Sequence, residues 1–313
     1  MRKLFAIILL TFTISCNNVD EQSINNCDIQ ETSNNIPSTN DILILDKYGI
    51  IAVTNEWSSI AYGNEKYIAV SNKGYFTTSL DGTNWKNPHK THNDIDELCW
   101  ENITFGNDKF VISGNFKVNG ISVSEFGDEW SNTIPYSGNG RMIIENDICI
   151  ICNNFCIYTL DKDFIHKEQV EPSYDNSRVD YYDVTFGNGK FVLLSSCAND
   201  GDVFTSIDGL NWKRLFTEIS CQCITFDGKQ FIAGGGGGRI LTSIDGEVWT
   251  ENNALPSNFL PYKIKYKNGN YIIIGTLNRD WFVNQFISTS TDGINWSDLE
   301  KVTDSSIRDF TFI

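Results

Sequence analysis

A seven-residue motif, Ser-x-Asp-Gly-x-x-Trp, occurs four times in this 313-residue chain and restricts its fold more than any other feature. A degenerate fifth copy spans residues 124–130 and ends at Trp130. Self-similarity at intervals of tens of residues is typical of repeat architectures. The shared positions of the four full copies are Ser79, Asp81, Gly82 and Trp85; Ser206, Asp208, Gly209 and Trp212; Ser243, Asp245, Gly246 and Trp249; and Ser290, Asp292, Gly293 and Trp296.

Turn chemistry accounts for the motif without a catalytic role. We expect the aspartate to accept hydrogen bonds from the backbone amides one and two residues further on, and the glycine to adopt the left-handed conformation. The serine supports the same turn. The tryptophan then begins a strand and covers apolar surface of the neighbouring unit. These positions are therefore predicted to be structural.

The spacing of the motif tryptophans gives the number of units. The gaps between them are 45, 82, 37 and 47 residues, and the longest is close to two units. We therefore expect a hidden unit at residues 141–169, with Ile143 and Ile148 flanking its first turn and an eroded motif between Tyr158 and Asp163. In the other units two aromatic residues stand five positions apart around an Asn- or Gly-containing turn, a pattern that predicts a β-hairpin. These pairs are Tyr62/Tyr67, Phe105/Phe110, Phe186/Phe191, Phe226/Phe231 and Tyr266/Tyr271.

The two ends of the predicted domain complete the architecture. Short runs of β-forming residues separated by Gly, Asn and Asp indicate an all-β domain from residue 41 onward. Residues 307–313 resemble a first strand, and residues 41–57 resemble later strands, with Trp57 where a motif would end. Joining them predicts a seven-bladed β-propeller of four-stranded antiparallel blades, closed by N- and C-terminal strands. The alternative is six blades with residues 41–57 as an extension.

The motif resembles the Asp-box, or BNR, repeat of sialidase-like propellers and of propellers similar to the photosystem II assembly factor. The resemblance covers nearly all of residues 41–313. It departs in one respect, because the usual Asp-box has a residue between the aspartate and the glycine. The resemblance implies a propeller fold and leaves the function open, since many functions occur on that fold.

The N-terminus has the features of an export signal. Positive residues at the start precede an apolar stretch at residues 4–14, which is too short to span a bilayer. Thr13-Ile14-Ser15-Cys16 resembles the lipobox of bacterial lipoproteins, which implies lipidation of Cys16, although leucine is usual in place of Thr13. The alternative is a plain secretory signal. We assign residues 1–16 to the signal, residues 17–40 to a flexible tether because they lack a hydrophobic period, and residues 41–313 to one propeller domain.

Charge and cysteine content restrict the partners. A net charge of −16 disfavours nucleic acid or anionic lipid as a partner of the folded domain, so the membrane is reached only through the lipid anchor. Disulfides are possible in an exported chain, but their pairing cannot be deduced. Cys149, Cys152 and Cys156 have a spacing compatible with a metal site, yet their isoleucine and phenylalanine neighbours are typical of buried strands. We expect buried thiols or a disulfide there, with no metal and no cofactor.

A binding function is favoured over an enzymatic one. The sialidase resemblance implies three substrate-binding arginines, a tyrosine paired with a glutamate, an acidic residue and an Arg-Ile-Pro-type motif, and this motif is absent. We predict no catalytic residues and a non-catalytic binding or scaffold propeller at the bacterial cell envelope, with a glycan or protein ligand. The alternatives are a sialidase-like glycoside hydrolase and an assembly factor for a membrane complex. The ligand is expected at the end of the strands opposite the motifs, where the candidate residues are Trp281, Arg279, Arg239, Asp280 and Trp100.

Overall fold

The computed structural model describes residues 36–93, 98–114, 120–135, 140–152, 156–164, 166–170, 179–197, 200–216, 220–278 and 284–313. The predicted signal, its Cys16 and most of the predicted tether lie outside these residues. The described chain begins five residues before the expected start of the propeller, and these residues already contact it. Pro37 is buried, and the indole of Trp57 donates a hydrogen bond of 2.8 Å to the carbonyl oxygen of Ser38.

The chain forms a seven-bladed propeller of antiparallel β-sheets, as predicted. The N-terminal hairpin and the first three blades consist of β1 (Ile42–Leu45) and β2 (Ile50–Thr54); β3 (Trp57–Gly63), β4 (Lys66–Ser71), β5 (Tyr75–Ser79) and β6 (His89–Lys90) in blade 1; β7 (Trp100–Gly106), β8 (Lys109–Gly114), β9 (Gly120–Ser124) and β10 (Ile134–Pro135) in blade 2; and β11 (Arg141–Glu145), β12 (Ile148–Cys152), β13 (Ile157–Leu160) and β14 (His166–Val170) in blade 3.

The second half of the chain continues the same four-strand order. Its strands are β15 (Val179–Gly187), β16 (Lys190–Cys197), β17 (Asp200–Ser206) and β18 (Lys213–Phe216) in blade 4; β19 (Cys221–Phe226), β20 (Phe231–Gly235), β21 (Arg239–Ser243) and β22 (Thr250–Asn252) in blade 5; β23 (Phe259–Lys267), β24 (Asn270–Leu277), β25 (Gln285–Ser290) and β26 (Glu300–Thr303) in blade 6; and β27 (Ile307–Phe312). Short 3-10 helices occur at Thr39–Asp41 and Asp46–Tyr48. Within the described part of the chain, no helix is long and apolar enough to cross a membrane.

The first hairpin of most blades has the register that the spacing of its aromatic pair predicts. All five predicted aromatic pairs face each other across β-strands, with ring centroids 4.5–4.8 Å apart. The turns take the positive φ that such tight hairpins require, as at Asn64 (45°) and Glu65 (58°). The hidden unit is present as blade 3, but its pair is shifted by one residue from the prediction. Ile144 lies opposite Cys149, whereas Ile143 lies opposite Ile150.

The closing sheet, blade 7, joins both ends of the propeller in the order β27-β2-β1. The N-terminal hairpin occupies the second and third positions of the blade in reverse chain order, and no fourth strand is found among the described residues. Contrary to the expectation from the sequence, Trp57 does not end this blade. It begins β3 of blade 1 and is fully buried between the two blades, beside Ile42 and Val53.

The hydrophobic core is divided among the interfaces between neighbouring blades. At the closure, Ile272 and Ile274 of β24 pack against Ile307 and Phe310 of β27. Because these side chains are completely or almost completely removed from water, each interface contributes its own share of the hydrophobic stabilisation. The first strand of each blade is innermost, since first strands of consecutive blades contact one another around the ring.

The motifs lie between the third and fourth strands of their blades, as predicted, and each holds a turn together. Asp81 accepts hydrogen bonds from the amides of Thr83 and Asn84, both 2.8 Å, so the contacted amides are two and three residues away, not one and two. Ser79 accepts from the Gly82 amide (2.9 Å), and the Trp85 indole donates to the Gly82 carbonyl oxygen (3.1 Å). The same arrangement recurs at Asp208, Asp245 and Asp292.

The motif glycine also determines how closely neighbouring blades approach. Gly293 has a φ of 74°, and a Cβ atom placed on it would lie 2.1 Å from Cδ1 of Ile232 in the preceding blade. The other motif glycines face Ile51, Ile68, Ile150 or Val192 of the preceding blade in the same way. The motif therefore fixes a turn within one blade and a contact between two.

Candidate functional site

Seven equivalent inner-strand residues form what we call the channel ring. Each stands three positions before the first member of the facing pair in its blade. Six of the inner strands have a β-bulge directly before this residue, and a bulge re-aims the following side chain. The channel ring consists of Ser59, Asn102, Arg141, Asp183, Cys223, Lys263 and Asp309.

Asp309 is the most strongly bound member of the channel ring. Its carboxylate is buried and accepts hydrogen bonds from the Ser59 hydroxyl (2.7 Å) and from the amide of its neighbour Phe310 (2.8 Å). The ammonium groups of Lys263 and Lys265 lie 3.1 and 2.9 Å away. Two cations and several hydrogen bonds outweigh the burial, so the pKa of Asp309 lies well below its usual range. This carboxylate therefore stays charged and ties blade 7 to blades 1 and 6.

Asp183 is the second carboxylate of the channel ring and lacks such strong partners. It accepts hydrogen bonds from the amides of Ile224 (3.0 Å) and Val184 (3.1 Å). Desolvation raises the pKa of Asp183, although the nearby charges of Arg141 and Lys263 oppose the rise. Desolvation, reinforced by Arg141, in turn lowers the pKa of Lys263 to about 8. Arg141, Asp183 and Lys263 thus belong to one electrostatic cluster although they come from three blades.

Positive charge is in excess at this cluster. Arg141, Lys263, Lys265 and Arg308 carry four positive charges. Asp183 and Asp309, when ionised, and Glu101, which precedes Asn102 as Arg308 precedes Asp309, carry three negative ones. Within the described part of the chain, Arg141 makes no ion pair with a carboxylate. In a protein of net charge −16, a channel with surplus cations focuses attraction for anions on one place. The arrangement is suited to binding a carboxylate or another small anionic group.

Tyr262, the neighbour of Lys263 in β23, is held by contacts within the protein. Its hydroxyl donates to Gln285 and lies 2.9 Å from the Ile307 carbonyl oxygen. Arg141 and Arg308 act electrostatically on Tyr262, whereas Arg214 is 2.8 Å from Asp202 at another blade. Tyr262 therefore links blade 6 to blade 7.

The predicted ligand-binding residues have different outcomes. Trp281, Arg279 and Asp280 lie outside the described residues. Arg239 donates to the carbonyl oxygens of Gly236 (3.1 Å) and Ser220 (3.3 Å), so it holds the loop between β20 and β21. Trp100 is almost fully buried, and its indole donates to the Thr91 hydroxyl (2.8 Å). The structure places Trp100 in the core, with no ring face available to a ligand.

The described cysteines include both thiols and a disulfide. The buried cysteines that form no disulfide are Cys149, Cys152, Cys156, Cys221 and Cys223. Burial raises the pKa of the Cys221 thiol to about 12 and those of Cys149 and Cys152 further, so these thiols are unreactive at neutral pH. Cys99 is disulfide-bonded.

Comparisons with known proteins identify the fold but not a family. No protein-family model matches the chain, and no curated protein matches it in sequence. Among solved structures, virginiamycin B lyase from Staphylococcus aureus aligns with a TM-score of 0.63 at 14% identity, covering 81% of this chain and 87% of that chain. A structure described as YCF48 bound to D1 peptide aligns with a TM-score of 0.58 at 16% identity, covering 83% and 87%. Apo AztD from Citrobacter koseri aligns with a TM-score of 0.53 at 8% identity, covering 84% and 83%.

Proposed function

We propose that this protein is a non-catalytic binding propeller whose central channel receives an anionic group of a protein ligand. The observation that carries the proposal is the position of Arg141, which makes no ion pair with a carboxylate among the described residues and lies in a cluster to which Lys263, Lys265 and Arg308 add positive charge. A peptide carboxylate can accept two parallel hydrogen bonds from a guanidinium group, a geometry that combines affinity with orientation.

A protein ligand is favoured over a glycan. The similar propeller YCF48 is described in complex with a D1 peptide, which supports a peptide-binding use of this architecture. Membership of the Asp-box family remains part of the proposal, and it is supported by the recurrence of the same turn in four blades.

We further propose that the protein is exported and anchored at the cell envelope by lipid on Cys16. The disulfide at Cys99 supports this location, because disulfides persist in oxidising compartments. Replacement of Cys16 by serine should move the protein from the membrane to the soluble fraction. Unchanged membrane attachment of the Cys16→Ser variant would refute the lipid anchor without affecting the binding proposal.

The binding proposal is tested with a peptide array probed with the purified protein, in which each peptide is present with a free and with an amidated C-terminus. Arg141→Gln should weaken binding of the selected peptides at least about tenfold, because one charge-assisted contact is lost. Lys301→Gln is the matched control, since it removes an exposed charge elsewhere and should leave binding unchanged. Equal binding by wild type and Arg141→Gln, or turnover of a fluorogenic sialoside by the wild type, would refute the proposal.

A further inference from the structure

The motif end of the propeller exposes a repeated set of large apolar side chains. Of the ten large hydrophobic residues that are exposed within the described part of the chain, six lie in motif turns, and Tyr62 and Ile313 lie at the same end of their strands. The six are Leu80 (74% exposed), Phe126 (59%), Ile207 (75%), Ile244 (75%), Val248 (73%) and Ile294 (50%). We call this surface the motif face.

Topology places these side chains on one face. The motif turn always joins the third and fourth strands, and in an antiparallel blade this turn lies at the same end as the first hairpin. Contacts between neighbouring blades agree, because Asn188 of one hairpin donates to the Ile244 carbonyl oxygen (2.7 Å) of the next motif. The exposed residues therefore follow an arc through blades 4, 5, 6, 7, 1 and 2, and none of them belongs to the described part of blade 3.

The turn itself does not require these apolar residues. At the motif position that is occupied by Leu80, Ile207 and Ile244, the other two copies carry Thr291 and Glu125. Polar residues thus fit the same conformation. Single exposed hydrophobic residues are common, but a series at equivalent positions on one face is typical of an interaction surface.

Charge on the motif face defines the partner. The five motif copies contain eight Asp and Glu residues and no Lys or Arg. Lysines from neighbouring turns neutralise two of these carboxylates, as Lys66 pairs with Asp128 (2.8 Å), and Lys190 and Lys213 pair with Glu247 (3.1 and 2.6 Å). The remaining negative charge disfavours anionic lipid and also a second copy of the same face, because like charges would be brought together.

We propose that the motif face is a second interaction surface, for a protein segment that combines apolar side chains with lysine or arginine. The apolar groups of the partner cover the exposed arc, and its cations meet exposed carboxylates of the motif turns such as Glu125 and Glu129. This surface lies at the opposite end of the strands from the side at which a channel ligand was predicted. The propeller can therefore bind two different proteins at once.

The probe is a synthetic amphipathic Lys/Leu peptide, compared with a Lys/Ser peptide of equal charge and a Glu/Leu peptide of equal apolar content. Binding of each labelled peptide to the full chain is measured by fluorescence anisotropy at low and high salt. The variant combines Leu80→Ser, Ile207→Ser and Ile244→Ser, and the control is Ile36→Ser, which changes an exposed isoleucine outside the motif face. Circular dichroism and thermal unfolding show whether each variant is folded.

The Lys/Leu peptide should bind at least about tenfold more tightly than either comparison peptide, and the triple variant should lose at least about tenfold in affinity. Ile36→Ser and Arg141→Gln should leave this binding unchanged, so the result is independent of the channel. Equal affinity of wild type and triple variant would overturn the proposal. If the triple variant lost binding to lipid vesicles while its affinity for the Lys/Leu peptide was unchanged, the proposal would be overturned in favour of a lipid surface. If it lost a dimer that the wild type forms, with the same unchanged peptide affinity, the proposal would be overturned in favour of a second copy.

Discussion

Gly293→Ala tests whether the motif glycine is required by the contact between blades as well as by its own turn. The left-handed φ of 74° costs a non-glycine residue about 1–2 kcal/mol. The new Cβ would also lie 2.1 Å from Cδ1 of Ile232, and relieving such overpacking costs about 1–3 kcal/mol. We therefore expect a loss in the free energy of unfolding of roughly 2–5 kcal/mol.

Two further substitutions separate these contributions. Gly269 has a similar φ of 83°, but a Cβ atom placed on it would have no other atom within 4 Å, so Gly269→Ala should cost only the backbone part, about 1–2 kcal/mol. Ile232→Val removes Cδ1 and leaves Cγ1 at 3.4 Å, an ordinary contact distance. In the Ile232→Val background, Gly293→Ala should therefore cost no more than Gly269→Ala.

The measurement is equilibrium unfolding in urea, followed by the fluorescence of the tryptophans, with the midpoint and slope fitted for each variant. The double-mutant cycle should give a coupling energy of about 1–3 kcal/mol between Gly293→Ala and Ile232→Val. An equal cost of Gly293→Ala in both backgrounds would show that the motif glycine serves its own turn alone. The reasoning about contacts between blades would then be wrong.

Three other perturbations address the charges. Asp309→Asn leaves Lys263 without its nearest carboxylate and should lower the free energy of unfolding by about 3–5 kcal/mol, whereas the exposed Asp304→Asn should change it by less than about 1 kcal/mol in the same urea titration. The pKa of Lys263 is lowered to about 8, so between about pH 8 and pH 10 the unfolded chain binds a proton that the folded chain has lost. The free energy of unfolding should therefore rise with pH in this range. A series of thermal unfolding experiments on Lys263→Met should lack this contribution. Hydrogen bonds from Asn295 and Ile294 hold the pKa of Asp292 below its usual range. The difference in the free energy of unfolding between wild type and Asp292→Asn should therefore shrink as the pH falls below about 4. A difference in urea midpoints that stays constant with pH would contradict this.

Local features of the fold were predictable because local chemistry determines them. Asn64 and Gly293 stand where a positive φ is needed, and the paired aromatic residues face each other because a tight turn fixes their register. The same reasoning failed by one position in blade 3, where Ile143 and Ile144 are equally apolar and only the register distinguishes them. The prediction for Trp57 was also wrong. The alternation of buried and exposed residues along a hairpin does not depend on which of its two strands lies nearer the centre of the blade, so the sequence could not show the reverse order of β1 and β2.

The channel ring could not be recognised in the same way. Arg141, Asp183, Lys263 and Asp309 lie far apart in the chain, and only closure of the propeller brings them to one channel. A signal was present, since each precedes the facing pair of its blade by three residues. This position indicates a residue of the channel ring only if the strand that carries it is the innermost of its blade, and which strand is innermost is a property of the assembled propeller. The residues chosen from loops, such as Arg239 and Trp100, are occupied by contacts within the protein.

The closing sheet also determines when the protein can become stable. Ile50 pairs with Phe312, 262 positions later in the chain, so the N-terminal hairpin has no partner strand until the last blade has been made. Until then β2 presents an unpaired apolar edge, and such edges promote aggregation during folding. Contacts between residues so distant in sequence also form slowly. The ring can therefore close only after β27 is available, and the stability of the N-terminal hairpin depends on the opposite end of the chain.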